Sequence, residues 1–341
     1  MSLKEKTKKK TTANNPDSAI KETEKLLKAA GRILLVSHVD PDGDAVGTLL
    51  AFASYLKSLG KEYTAVRDSG IPHKYMFLPG VEAIKPVEQS DRDISFDTAL
   101  VLECPTLERA GKAGELIKEN MTVINIDHHQ DAVPFGTVNW LDTGVSSVGE
   151  MAFEYFEKVG FKLSPEVAEQ LYTAILTDTG RFRYASTSPR TMAVAGKLIA
   201  AGADRRKICD EVYFNVPPEV LKLTGMVFNT VEFHRDNSIC LIHLTGEMLK
   251  RSGADKSASE GLVDFTMFNK NIAVGALLRE TGPKETKISL RSRDAVDVAA
   301  IADRFNGGGH VNAAGCTVPE ALPEARKILL RILEEAVDGN A

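Results

Sequence analysis

The feature that most constrains this chain is an apolar run that stops abruptly in acid. Ile33-Leu34-Leu35-Val36 is followed by Ser37-His38-Val39-Asp40-Pro41-Asp42-Gly43-Asp44-Ala45, which places one histidine and three aspartates within seven residues. The run suits a buried strand, and the pattern from about Asp44 to Leu59, closed by Gly60, suits a helix. Strand, loop and helix in that order put the acids at the strand's C-terminal end, where ligands sit in open α/β sheets. Pro41 and Gly43 keep the loop from continuing as either element, so its carboxylates can turn toward one point. Carboxylates this close repel one another unless a cation neutralises them. Mixed with imidazole, they suit Mn²⁺ or a similar divalent ion. The plain alternative is a solvated acidic loop in which His38 caps something.

The same punctuation recurs along the chain. Asp17 or Ser18 opens a helix carrying Ile20, Leu26, Leu27 and Ala30, stopped by Gly31. A second strand is expected at 61–66, while 67–96 is rich in Pro, Gly and charge and has no clear period. Ala99-Leu100-Val101-Leu102 reads as a third strand ending at Glu103. A helix is expected at about 107–119, and then a fourth strand, Val123-Ile124-Asn125-Ile126, runs into Asp127-His128-His129. The alternation predicts an α/β domain with a parallel sheet and helices on both faces. Three strands then end in metal-capable residues on one shared edge.

From about 145 the pattern is helical. One helix runs from Pro165 to about Thr177 before Asp178-Thr179-Gly180, and another opens at Ser188-Pro189 and runs to about Ala200. Residues 203–216 read as a short helix and connection, and Pro217-Pro218 begins a bridging helix. A smaller mixed α/β unit follows, with strands expected at 239–244, 272–279 and 286–291 and helices at 296–305 and 322–336. The expected organisation is a disordered polar tail at 1–16, a catalytic domain at 17–205, a bridge at 206–227 and a second domain at 228–341.

Bulk numbers narrow the function. A net charge of -5 argues against a broad nucleic-acid-coating surface, but a small basic pocket for a short anion remains compatible with it. The four cysteines, Cys104, Cys209, Cys240 and Cys316, are widely spaced with no CxxC, which suits free thiols in a reducing cytosol. No apolar stretch is long enough to span a membrane and no signal peptide is visible, so a cytoplasmic protein is expected.

Six residues, His38, Asp42, Asp44, Glu103, His128 and Asp178, would together make a two-metal site, in which two divalent ions need several carboxylates with at least one shared. Taken singly, Asp178 reads as a helix-end residue bonded to a turn and Glu103 as a strand-end acid. His129 is better placed to contact substrate than to join His128 on the same ion, because adjacent residues point in different directions. An imidazole there could stabilise phosphoryl oxygens. Gly307-Gly308-Gly309-His310 could form an anion-binding nest with a histidine donor, or be a flexible turn. Arg291 and Arg293 alternate on a strand, so Arg291 could fork onto a phosphate or carboxylate, or lie on a solvated face. Cys104 reads as a buried thiol, since hard-ion sites avoid sulfur.

These stretches resemble the DHH phosphoesterase family. SHVDPDGDAVG (37–47) looks like its first motif, IDHH (126–129) like its name-giving motif and ILTDTGRFRY (175–184) like its fourth, while GGGHVNAAG (307–315) resembles the DHH-associated C-terminal domain. Within the family, the two-domain form of this length resembles the group joining oligoribonuclease with 3′-phosphoadenosine 5′-phosphate phosphatase activity. The resemblance implies two Mn²⁺ ions, with Mg²⁺ or Co²⁺ as alternatives. His38 and Asp42 would hold one, Asp44, His128 and Asp178 the other, and the residue at 103 would bridge them. It implies catalysis by His129 with Asp42 and Asp44. It also implies a substrate held at its far end by Arg291, Gly307, Gly308, Gly309 and His310, with the active site in the cleft between the domains. The substrate would be short single-stranded RNA or a nucleotide, and a homodimer is left open. One position departs: the family's bridging aspartate is Glu103 here, and the extra methylene moves the carboxylate by roughly one bond length. The alternatives are a phosphodiesterase for cyclic dinucleotides or their linear products, an inorganic polyphosphate hydrolase, or a nucleotide-binding protein whose turnover Glu103 has weakened.

Overall fold

The computed structural model describes residues 11–12, 16–89, 95–259, 261–293 and 296–339. Most of the tail expected at 1–16 therefore lies outside the described residues. The chain divides into two compact units, 1–215 and 216–341.

In the first unit the elements run β1 (Thr11–Thr12), α1 (Pro16–Ala29), β2 (Arg32–Val36), α2 (Gly43–Ser58), β3 (Glu62–Arg67), β4 (Lys85–Pro86), β5 (Thr98–Leu102), β6 (Thr122–Asp127), β7 (Val138–Leu141), α3 (Val148–Val159), α4 (Pro165–Asp178), α5 (Pro189–Ala200) and α6 (Arg205–Cys209). The strands form one sheet in the order β1-β7-β6-β5-β2-β3-β4, every pairing parallel. Strand alternation sorts the core. Ile33, Leu35, Leu100, Leu102, Ile124 and Ile126 meet the helices in the larger cluster, with Phe52, Tyr155 and Phe156. Leu34, Val36, Ala99 and Val101 meet Ala110 and Ala113 on the other face. Both faces are covered, which is why these strands read as continuous apolar runs.

Two details correct the sequence reading. The helix expected at 107–119 is a pair of 3₁₀ turns, Leu107–Leu116, broken at Gly111 with φ 57°. A Cβ on Gly111 would lie 2.1 Å from Asp68 Oδ2 and 2.6 Å from Val39 Cγ1. The break thus lets this segment press against the loop after β2, where Val39 N–H donates to the Arg109 carbonyl at 2.8 Å. The second detail is β7, a strand of only four residues that carries Asn139 and so lacks a continuous apolar run.

Local signals set the helix starts. Side-chain oxygens of Asp42, Ser147, Ser164 and Ser188 cap α2, α3, α4 and α5, and Ser188 forms a full capping box with Thr191. Helices α2 and α4 cross closely because Gly47 has no side chain: a Cβ there would sit 2.3 Å from the Gln170 carbonyl oxygen.

In the second unit the elements run α7 (Pro218–Phe228), β8 (Glu232–His234), β9 (Ile239–Leu244), α8 (Gly246–Ser252), β10 (Val274–Gly282), β11 (Glu285–Ser292), α9 (Val298–Asp303), β12 (Gly308–His310), β13 (Ala313–Val318) and α10 (Leu322–Asp338). The sheet order is β12-β13-β11-β10-β9-β8, with β9 and β10 parallel and the other pairs antiparallel. This is the mixed α/β unit expected. The glycine run, however, is an edge strand more than a free loop. Gly308 and Gly309 pair with Gly315 and Ala314, and a Cβ on Gly307 or Gly309 would meet a backbone oxygen of β13 at 2.3 or 2.4 Å. Close strand approach accounts for those two glycines, whereas Gly308 faces open space. No described helix is long and apolar enough to cross a membrane.

Candidate metal centre

The parallel register brings the site together. Val36 pairs with Val101 and Leu102 with Ile126, so the chain leaves β2, β5 and β6 side by side and carries His38, Glu103 and His128 out along one edge. Asp42 and Asp44 arrive at the start of α2, and Asp178 is the last residue of α4.

Glu103 is the hub. It is 1% exposed, and its backbone is left-handed at φ 55°, a conformation costly for a residue with a side chain. Its Oε2 lies 3.0 Å from His38 Nε2, and its Oε1 lies 3.2 Å from His128 Nε2 and 3.3 Å from His129 Nδ1. Around it, His128 Nε2 is 3.3 Å from Asp178 Oδ2 and 4.0 Å from Asp44 Oδ2, and His38 Nε2 is 3.9 Å from Asp42 Oδ1. Three groups of donor atoms, each spanning no more than 4.8 Å, result: His38, Asp42 and Glu103; Asp44, His128 and Asp178; Glu103, His128 and His129. The six side chains named from the sequence thus meet in space. Arg291 and the glycine run belong to the second unit, where Arg291 Nε donates to Asp264 Oδ1 at 2.8 Å. The side chain of His310 lies outside the described residues.

Supporting contacts fix several of these groups. His38 Nδ1 lies 2.7 Å from the Val39 carbonyl, a contact that turns Nε2 toward the carboxylates. Asp44 is fully buried, accepting from Val148 N–H at 2.6 Å, Gly149 N–H at 2.8 Å and the Thr48 hydroxyl at 3.0 Å. The α3 N-terminus therefore orients this carboxylate. Asp127 is the residue to which sequence reasoning gave no role. Buried beneath His129, its Oδ1 accepts from the His129 N–H at 2.7 Å and lies 2.9 Å from ring Nδ1. Its only signal was its place directly before two histidines. Cys104 is a buried thiol, with Sγ 3.1 Å from the Thr106 carbonyl.

The electrostatics describe a donor set short of positive charge. Burial, then the charges of Glu103 and Asp178, push the Asp44 carboxyl well above its usual range. Burial likewise raises Asp178. Burial alone would favour neutral His38, but the adjacent Glu103 carboxylate outweighs it and lifts the imidazole to about 9. Glu103 is pulled down to about 2: burial opposes ionisation, but His128 and His38 more than offset it. The buried Glu103 Oε2 completes no well-formed hydrogen bond even so. Protons or cations must balance these acids, and mixed imidazole and carboxylate donors suit a hard or borderline divalent metal. The residues present fit such ions.

Fold and centre together define a metal-dependent hydrolase. Residues 32–175 match the model of the DHH family, N-terminal domain, and residues 239–336 match that of the DHHA1 domain. The chain is 34% identical to the bifunctional oligoribonuclease and PAP phosphatase NrnA of Thermus thermophilus over 86% of each chain. It is 28% identical to the protein of the same name from Bacillus subtilis, over 87% of this chain and 92% of that one. A crystal structure of an exopolyphosphatase-related protein from Bacteroides fragilis superposes with a TM-score of 0.88 at 30% identity, covering 94% of this chain and 96% of that one. The chain belongs to the DHH family of phosphoesterases, in the form that carries a DHHA1 domain.

Proposed function

We propose that this protein hydrolyses short oligoribonucleotides to nucleoside monophosphates and also releases phosphate from 3′-phosphoadenosine 5′-phosphate. The observation that carries the reading is Glu103 reaching His38, His128 and His129 at once, in a chain whose relatives are named for these two activities. His38 and Asp42 would hold one Mn²⁺ and Asp44, His128 and Asp178 a second, with Glu103 shared. When bound, two such ions supply Lewis acidity toward phosphoryl oxygens and lower the pKa of water. The chain's own part is positional. Asp127 holds His129 with its other ring nitrogen free for a phosphoryl oxygen, and the backbone donors of α3 keep Asp44 in place. Arg291, Gly307, Gly308, Gly309 and His310 would engage the substrate's far end. The four cysteines are free, which supports a reducing cytoplasm as the working compartment.

The test is a 5′-labelled diribonucleotide incubated with the full chain and Mn²⁺. Nucleoside monophosphate is expected from the wild type and none from Asp178→Asn. Its absence from wild-type protein of verified fold and metal content sinks the reading. A second reading, hydrolysis of inorganic polyphosphate, is favoured by the description of the Bacteroides fragilis protein. Phosphate release from polyphosphate exceeding dinucleotide turnover in the same assay would select it.

A further inference from the structure

The segment that follows Asp178 is strained, aromatic and cationic at once. Gly180, Arg181 and Phe182 have φ of 54°, 65° and 62°, three successive left-handed residues of which two carry side chains. Such backbone is costly and persists only where its surroundings hold it. Here they do. Arg181 N–H donates to the Leu176 carbonyl at 2.9 Å and Phe182 N–H to Thr179 Oγ1 at 3.0 Å, and the Thr179 carbonyl accepts from the N–H of both Arg183 and Tyr184 at 3.0 Å. Phe182 packs edge-on to Tyr172 against the core. The turn therefore sends Phe182 inward and leaves Arg183 and Tyr184 exposed.

Tyr184 closes its ring over Gly180: a Cβ there would lie 2.4 Å from Cζ and 2.6 and 2.7 Å from the two Cε atoms. The hydroxyl end of the ring is thus seated two residues beyond Asp178, yet Tyr184 stays 49% exposed. Arg183 Cζ lies 5.4 Å from the centre of this ring, and Arg181 Cζ lies 4.5 Å from the centre of the Tyr213 ring. Neither guanidinium pairs with a carboxylate among the described residues. No acid occurs from 179 to 203. The acids of α3 are engaged elsewhere, Glu150 and Glu154 with Arg190 and Glu157 with Lys197. Those beside Tyr213 are engaged too, Asp210 with Arg206 and Glu211 with Asn215. Consecutive Cα atoms are about 3.8 Å apart, so Gly180 lies within about 8 Å of Asp178, a span that a nucleotide bridges between its phosphate and its base.

We infer that Tyr184 is a specificity-determining residue of the metal centre: its ring stacks on the base of the nucleotide whose phosphate the centre holds, and Arg183 beside it draws that nucleotide's charge. The inference rests on the proposed function for its substrate and goes beyond it by assigning the base contact to the turn after Asp178. The occupant is the substrate because the ring is seated beside a centre whose donors suit phosphoryl-binding ions, and because the adjacent cation has no acid to answer it. A π-face accepts every base, so the contact selects for a nucleotide without selecting which one.

The test compares a diribonucleotide with an otherwise identical phosphodiester lacking both bases, using the full chain with Mn²⁺ as wild type, Y184L, Y184F and R183Q. Fluorescence of 2-aminopurine riboside 5′-monophosphate, which stacking quenches, reads the contact without turnover. The substituted side chains are exposed, and circular dichroism verifies the fold of each variant. The wild type is expected to favour the diribonucleotide in kcat/KM by about ten-fold or more, the scale of one base stack. Y184L is expected to lose that preference and the quenching while its turnover of the base-free substrate stays at the wild-type level, and Y184F to keep both. R183Q is expected to raise KM for both substrates alike by about ten-fold, the loss of a charged hydrogen bond. An unchanged preference in Y184L or an unchanged KM in R183Q overturns the inference. Equal loss on both substrates in Y184L makes the ring a mere support for the turn, and Y184F behaving as Y184L makes the hydroxyl the contact; each also overturns it. Diribonucleotide cleavage by a wild type that shows no preference for bases removes this inference and leaves the proposed function standing. Quenching that depends on the Tyr184 ring, in a protein that does not cleave the diribonucleotide, does the reverse.

Discussion

At Glu103 one side chain answers to three imidazoles, and its length is what makes that possible. An aspartate on the same backbone would end one methylene short of His38 at 3.0 Å and His128 at 3.2 Å unless the chain moved. The backbone at φ 55° is fixed by the Glu103 N–H bond to the Ile126 carbonyl at 3.0 Å, so such movement is resisted. Glu103→Asp is therefore expected to lower kcat/KM by about ten-fold or more, on the scale seen when a metal site's surroundings are disturbed. Activity that rises in the variant would show that the wild-type glutamate spoils the bridge and that the protein is mainly a binder. Asp127 provides a second check. Asp127→Asn keeps the shape but removes the charge that holds the His129 ring, so kcat should fall about 10–100-fold while bound manganese, measured by elemental analysis, stays at the wild-type level. A matching loss of metal would make Asp127 part of the ion cage instead. The candidate ligands could be read from the sequence because each follows an apolar strand or lies at one end of a helix. Asp127 could not be given a role, because adjacency to two histidines says nothing about which of the three faces inward.

At the scale of elements, long periodic segments were legible and short or small-residue ones were not. Helices α2, α4 and α5 declare themselves by cap, period and stop, and β2, β5 and β6 by unbroken apolar runs. The segment 107–116 has helix-forming composition, yet Gly111 breaks it to meet Asp68 and Val39, a tertiary demand invisible in a local window. Strand β13, Ala313–Val318, is built largely of small residues and gives a weak strand pattern, so the glycine run before it reads as a loop. Helix α1 offers a prediction at this scale. Its Glu24 Oε2 accepts from the hydroxyls of Tyr55 on α2 and Tyr155 on α3, each at 2.5 Å. Burial works against the Glu24 carboxylate, but the bonds from Lys28, Tyr155 and Tyr55 outweigh it and hold its pKa below the ordinary 4.5. A depressed carboxylate pKa contributes stability that is full above 4.5 and lost as pH falls through the folded value. Glu24→Gln should cost about 1–2 kcal/mol near neutral pH, and the gap in thermal midpoint between variant and wild type should narrow below about pH 4. A gap that widens in acid contradicts this account of how α1 is docked.

At the scale of the whole molecule, three parallel strand ends and two helix ends deliver residues from positions 38 to 178 to one place. Topology does this without local sequence proximity, and right-handed parallel connections make it predictable once the strands are known. The second unit's mixed sheet was legible in outline, but the exposed seat of Tyr184 on Gly180 was not, because exposure of an aromatic side chain is a tertiary outcome. The most direct measurement is an anomalous difference map at the manganese edge from crystals of the full chain grown with Mn²⁺. Two peaks are predicted, one among His38, Asp42 and Glu103 and the other among Asp44, His128 and Asp178. A single peak, or peaks away from these side chains, would contradict the two-ion centre on which the proposed chemistry stands.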